Sequence, residues 1–181
     1  TRDKVRIAGA VLASLAGGNE LIFPHVDSPA VLEELRDSHR VRFVLAEGPG
    51  PLPEGMMELP VEEPAVGGDL SGPVRDASER IARLFTGGST GRPRIWDKTA
   101  HNLLGEADFL AKRFKIGPRD VILAAVTPQH IYGLLFTVLL PLVSGASVVE
   151  ETPRFQGEME HAMKEYRATV FAGAPPHYRA L

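Results

Sequence analysis

The sequence predicts an α/β fold, with a mostly parallel sheet flanked by helices. Three observations carry this. Apolar runs of strand length alternate with stretches of helical period, proline and glycine punctuate the joints, and no internal repeat is present. Such alternation joins neighbouring strands by right-handed crossovers and leaves most of them parallel.

The elements follow in order. Val5, Ala8, Leu12 and Leu15 share one helical face, and Gly17-Gly18 ends that helix. Leu21-Ile22-Phe23 reads as a short strand. Ser28 is a helix cap with Pro29 at the first helical position, and Val31, Leu32 and Leu35 form the buried stripe. Residues 41–45 read as a second strand. Residues 48–72 are dominated by proline and glycine and read as a connection, with one strand at 56–59. Alternation then returns with a helix or turn at 77–80, a strand at 81–85, a loop at 86–94 and a helix at 99–114. A strand at 121–126, a buried helix at 132–143 ended by Gly145, and a strand at 146–149 follow. An amphipathic helix at 155–166 turns Met159, Ala162, Met163 and Tyr166 inward. A strand at 169–172 and a last helix beginning at Pro176 complete the chain. Three parts result: residues 1–47, a small α/β part; 48–75, the connection; and 76–181, the α/β part bearing the glycine loop.

Composition bounds the function. Lys and Arg number 20 against 23 Asp and Glu, a net charge of −3, so there is no electrostatic case for a nucleic-acid partner. The absence of cysteine removes disulfides, thiolate zinc sites and cysteine nucleophiles, and favours a cytoplasmic protein. The longest apolar run, 131–143, is shorter than the roughly 18 residues of a membrane span and contains a proline, so no span is expected. The chain opens on Thr1 rather than methionine, so any targeting segment would lie out of sight.

The chemistry concentrates in Thr86-Gly87-Gly88-Ser89-Thr90-Gly91-Arg92-Pro93-Arg94. Three glycines allow several backbone N–H groups to converge on one anion. The hydroxyls of Thr86, Ser89 and Thr90 add rotatable donors, and Arg94 and Arg92 bring charge in a fork suited to phosphate. The loop is neither a Walker A motif nor a dinucleotide fingerprint, because the required Gly-Lys and G-x-G-x-x-G cannot be drawn. The competing reading is a surface turn.

This loop resembles the phosphate loop of the adenylate-forming superfamily, which includes acyl-CoA synthetases, aryl-acid ligases and adenylation domains. Their pattern is Thr-Ser-Gly-Ser/Thr-Thr-Gly-x-Pro-Lys. Thr86, Gly88, Ser89, Thr90, Gly91 and Pro93 fit it, Gly87 replaces serine and Arg94 replaces lysine; Arg83 stands where the family has an apolar residue. Residues 127–134, Thr-Pro-Gln-His-Ile-Tyr-Gly-Leu, are similar to the family segment bordering the acyl pocket. The resemblance implies that His130 gates or positions substrate, with Tyr132 and Gly133 in the acid pocket. Residues 171–178 are similar to the family's strand–loop–helix on another side of that pocket, which implies Gly173 and Ala174 as lining and makes His177 and Tyr178 packing residues. Trp96, the only tryptophan, anchors the loop's second strand in the core on this reading.

The resemblance further implies ATP as cosubstrate, Mg²⁺ held by residues beyond this chain, a small-molecule carboxylic acid, and coenzyme A or a carrier-protein pantetheine as acceptor. An acyl carrier protein is then a candidate partner. The family's adenine pocket, magnesium motif, ribose-binding aspartate and lysine lie downstream of the matched segments, so the 181-residue chain is expected to be inactive alone. A stand-alone nucleotide- or acyl-binding module and an unrelated phosphate-binding α/β domain are the alternatives. No metal site is expected: His161 and Glu165 are four apart on a helix, no second histidine joins them, and the pair reads as a solvated face. His25 and His39 carry no pattern.

Overall fold

The computed structural model describes residues 1–46, 50–59, 75–86 and 94–181. Its elements run α1 (Lys4–Leu15), β1 (Leu21–Phe23), α2 (Pro29–His39), β2 (Phe43–Val44), β3 (Met57–Glu58), β4 (Arg80–Thr86), β5 (Arg94–Thr99), α3 (Ala100–Phe114), β6 (Val121–Ala124), α4 (Ile131–Leu134), a π-helical turn (Leu135–Leu139), α5 (Leu140–Ser144), β7 (Ser147–Val148), α6 (Gln156–Glu165), β8 (Val170–Ala172) and α7 (Pro175–Ala180). Alternation of strand and helix holds, but the strands divide into three small sheets, ordered β1-β4-β5, β2-β3 and β7-β6-β8. Every pairing among the described residues is parallel except β4 with β5. Those two strands are the arms of the glycine loop, and a hairpin forces its arms to be antiparallel. Most of the Pro/Gly-rich connection, residues 60–74, lies outside the described residues.

Two sheets pack on one central helical segment. Residues 131–144 form a nearly continuous, largely apolar helix that buries Leu134, Leu135, Val138, Leu139 and Leu140 and leaves Tyr132, Leu142 and Val143 exposed. Leu134, Leu135, Val138 and Leu139 pack with Phe23 of β1, Ala82 and Leu84 of β4, and Leu103 and Ala107 of α3. Leu140 and Phe136 pack with Ile122 of β6, Ala111 and Ile116. The opposite face of β6 offers Leu123 to Ala162 of α6 and to Val149. Strand β6 is therefore covered on both faces, which is why it reads as an unbroken apolar run. Ile7 and Val11 of α1 belong to the same core as β4, so residues on either side of the connection share one interior.

Two polar side chains fix α1, and they correct its predicted face. The buried residues are Lys4, Ile7, Val11 and Ser14, whereas Val5 is 76% and Leu12 47% exposed. The helix is apolar around most of its circumference, so periodicity alone does not choose a face. The partners choose it. Lys4 Nζ donates to the carbonyls of Val149, Glu150 and Glu151 at 2.7, 2.8 and 3.0 Å, and Ser14 Oγ donates to the carbonyl of Ile81 at 3.1 Å. Other predictions move similarly. Tyr166, expected inward, is half-exposed and donates its hydroxyl to Glu151 at 2.8 Å. Trp96, expected in the core, is 51% exposed, because β5 is the edge strand of its sheet.

The turn from β6 into the central helix depends on a missing side chain. A Cβ on Gly133 would lie 1.8 Å from the carbonyl oxygen of Thr127, a contact no packing adjustment accommodates. Thr137 Oγ1 donates to the Gly133 carbonyl at 2.7 Å. Further along, Leu140 N–H bonds the carbonyl of Leu135, five residues back. This widened turn precedes Pro141, whose ring crowds the preceding turn and which offers no N–H to Thr137. Gly145, left-handed at φ 73°, then ends the helix as predicted.

Two predictions follow from this packing. Gly133→Ala costs about 3 kcal/mol or more in urea unfolding, whereas Gly9→Ala, where nothing lies within 4 Å, is neutral or stabilising by up to about 1 kcal/mol. Burial lowers the Lys4 ammonium from 10.5 to about 8, against the upward pull of Glu150 and Glu151. Between those pH values the unfolded lysine binds a proton that the folded one has shed, so stability rises with pH across that window. The stability of the parent protein relative to Lys4→Met therefore increases from pH 8 to pH 10.5; a flat difference contradicts the burial.

Candidate functional site

The glycine loop closes the β4–β5 hairpin. Thr86 and Arg94 are the facing pair next to that loop, with Thr86 Oγ1 donating to the Arg94 carbonyl at 3.5 Å, and both are exposed. The remaining loop residues singled out in the sequence, Gly87, Gly88, Ser89, Thr90 and Gly91, lie outside the described residues, as do Arg92 and Pro93.

The hairpin is braced from behind by charge. Arg80 reaches Glu20 through Nε at 3.0 Å and NH2 at 3.1 Å, and Asp97 through NH1 at 3.0 Å. Arg83 lies 3.7 Å from Glu20 and 3.5 Å from Asp97, and its NH1 meets Nδ1 of His39 at 3.0 Å. The His39 ring stands edge-on to Phe85, centroids 5.4 Å apart. Arg83 departs from the family's apolar pattern without harm, because it faces carboxylates rather than the core. His39, without pattern in the sequence, proves to join α2 to β4. A cavity of about 510 Å³ lies beside this network, walled by Leu21, Phe23, Leu35 and Phe43, with Arg83 and Gln129 at its polar side.

The second group of residues stands where β6 and β8 end. β6 leads to β7 on one side while β8 lies on the other, the topology that opens a crevice at the carboxyl ends of parallel strands. His130 is exposed at the N-cap of α4 and makes no side-chain capping bond. Tyr132 is half-exposed; its ring lies 4.9 Å from that of Phe136, and burial, helped by the neighbouring Tyr178, raises its phenol above its usual range. Gly133 is buried under the Thr127 carbonyl and presents no surface of its own. Gly173 N–H donates to Tyr178 Oη at 3.3 Å, and Ala174 N–H donates to His177 Nδ1 at 3.0 Å.

The structure thus brings Tyr132 and Gly173 together, with Ala174 beside them. It places Thr86 and Arg94 together on the other sheet, and the central helix packs against both. Two residues were missed as site neighbours. Tyr178 was read as packing, and nothing in its sequence position reveals the bonds to β8. Thr127 Oγ1 is buried and has no hydrogen-bond partner among the described residues. His161 Nε2 and Glu165 pair at 2.7 Å on an exposed face of α6, as expected of a solvated pair. Among the described residues no helix is long and apolar enough to cross a membrane.

Comparison with known proteins shows the family and the fold. The family model for "AMP-binding enzyme" matches residues 9–181. A sulfoacetate–CoA ligase of Cupriavidus necator is 32% identical over 130 residues, which cover 71% of this chain and 25% of that protein. A phenyloxazoline synthase, MbtB, of Mycolicibacterium paratuberculosis is 31% identical over 178 residues, 92% of this chain and 15% of that one. Among solved structures, o-succinylbenzoate CoA synthetase of Bacillus subtilis, in complex with its acyl-adenylate intermediate, superposes with a TM-score of 0.77 at 19% identity. That match covers 98% of this chain and 48% of the other. A malonyl-CoA ligase with methylmalonyl-CoA and AMP bound gives 0.74 at 22% identity, covering 96% and 38%. These two likenesses show the fold, and the chain spans a quarter or less of the curated relatives named here. With the family model matching nearly its whole length, the chain belongs to the AMP-binding enzyme family.

Proposed function

We propose that this chain is the phosphate-loop portion of an ATP-dependent ligase that activates a carboxylic acid as its acyl-adenylate and passes the acyl group to a thiol. The observation that carries this is the hairpin. Within a chain matched by the AMP-binding family over residues 9–181, Thr86 and Arg94 face each other at the mouth of the loop whose composition suits an oligophosphate. In this reading Thr86, Gly87, Gly88, Ser89, Thr90, Gly91 and Arg94 hold the β- and γ-phosphates of ATP, the part that leaves.

The reaction brings a carboxylate against a phosphate, two anions that repel. Their approach is aided by loop N–H groups and the Arg94 guanidinium, which hold the leaving pyrophosphate and offset its charge. The carboxylate oxygen bonds the α-phosphorus as the bond to the β-phosphate oxygen breaks. His130, exposed at the helix start, borders the acid and positions it or gates the thiol. Tyr132, Gly173 and Ala174 line the acid's side. Both N–H groups at the end of β8 are occupied by Tyr178 and His177, so Gly173 and Ala174 offer the acid a wall rather than donors. Gly133 belongs to the site indirectly, by letting the His130 turn sit close to the helix. Mg²⁺, when bound with ATP, would supply charge neutralisation at the phosphates. The acceptor is coenzyme A or a carrier-protein pantetheine, and residues 1–181 alone form no acyl-adenylate.

The test is acid-dependent ATP–pyrophosphate exchange by the intact natural protein against a panel of aliphatic and aryl acids. Exchange above background is expected with at least one acid, and Arg94→Ala raises the KM for ATP roughly tenfold or more, as loss of a charge-assisted phosphate contact does. No exchange with any acid, or an ATP KM unmoved by Arg94→Ala, contradicts the reading.

A further inference from the structure

His39 ends α2 and belongs to no motif, yet its ring sits on the strand that leads into the glycine loop. Its Nδ1 meets Arg83 NH1 at 3.0 Å, and the ring stands edge-on to Phe85, centroids 5.4 Å apart and planes at 83°. Arg83 and Phe85 alternate along β4 and so share the face turned from the core, and Thr86, where the loop begins, is the next residue. Their partners across the hairpin are Asp97 and Ile95 of β5. One imidazole thus touches two successive residues on the outer face of the loop's first arm, at its loop end.

The count of protons decides which form of the ring makes this contact. A guanidinium only donates, and it stays charged throughout the pH range of proteins. His39 Nδ1 is therefore the acceptor, Nε2 carries the proton, and the ring is neutral. A second proton would have to go on Nδ1. It would remove the acceptor and set one cation against another. The charges around the pair do not relieve that conflict. Glu20 and Asp97 lie 3.7 and 3.5 Å from Arg83, and Arg80 already shares both of them. Beside His39 on its own segment stand Arg36, paired with Asp37, and Arg40. The cavity that His39 and Arg83 both line adds Arg42 and Asp27.

We propose that His39 is a positioning residue for the phosphate hairpin and acts only as the neutral imidazole. It holds Arg83 and Phe85, and through them the arm that presents Thr86, and acidification releases Arg83 from it. This rests on the reading that the hairpin receives ATP. A merely structural histidine would alter stability alone, whereas here the affinity for ATP follows the protonation of one ring.

The experiment measures the KM for ATP in ATP–pyrophosphate exchange by the intact natural protein, its His39→Gln variant and its His39→Phe variant, as pH is lowered through the range in which histidines titrate, about 7.5 to 5.5. Glutamine offers Arg83 a carbonyl oxygen that does not titrate. Dividing the parent's KM by that of His39→Gln at each pH cancels the titration of ATP itself and of every group the two proteins share. The ratio stands near one at the alkaline end and rises about threefold on acidification, the effect of losing one hydrogen bond to a charged group. His39→Phe keeps a ring against Phe85 and lacks the acceptor, so its KM for ATP is about threefold above the parent's already at the alkaline end. A ratio that stays flat across the range overturns the proposal, as does an ATP KM of His39→Phe equal to the parent's at the alkaline end. A parent protein that shows no exchange with any acid fails at an earlier step: it sinks the acid-activating reading itself, and this proposal with it.

Discussion

The arrangement turns on the contact between Gly133 and the Thr127 carbonyl. Strand β6 ends at Ala124, and within a few residues the chain must reverse into a helix that packs on two sheets. It does so by pressing the helix backbone against the turn, at a spacing that excludes even a methyl group. That spacing sets where the helix lies, and the helix lies between everything else. Its one side receives β4, the arm that carries the glycine loop, and its other side receives β6, whose end carries His130 and Tyr132. A shift of the helix would move the phosphate hairpin and the acid wall relative to each other, which is why this turn admits so little variation.

The polar anchors explain how α1 and the far sheet join that core. Three carbonyls at the end of β7 converge on one ammonium, Lys4, at the first turn of α1. The bonds span nearly the whole sequence, and burying the charge costs free energy that the three acceptors offset only in part, which leaves the ammonium pKa lowered. On the sheet that bears the hairpin, the face turned from the core is not apolar but carries Arg80, Arg83, Glu20 and Asp97. These exposed pairs contribute little individually. Their effect is geometric, since they hold β1, β4 and β5 together behind a loop that must keep its shape.

Much of this was legible in the sequence where local signals were strong. Ser28 with Pro29 and Gly145 after α5 mark helix ends by backbone requirements that any fold must meet, and each marks the end observed. The loop Thr86–Arg94 was legible because its glycines and hydroxyls have few other uses. What was not legible depended on distant partners. Lys4 looks like a surface residue until Glu150 is placed beside it. Val5 and Leu12 look buried until Lys4 and Ser14 turn them outward. Trp96 looks like an anchor until β5 proves to be an edge. Likewise Tyr132 comes beside Tyr178 only once β6 and β8 are neighbours, a pairing that spans about fifty residues.

The account's central claim is that the β4–β5 hairpin of this chain receives the phosphates of ATP. Hydrogen exchange of the intact natural protein, with and without saturating ATP, tests it most directly. The account predicts that ATP slows amide exchange in peptides covering residues 86–94 and leaves the α6 peptide, on the far face of the β7-β6-β8 sheet, unchanged. Unaltered exchange at 86–94 with protection elsewhere in the chain would contradict it.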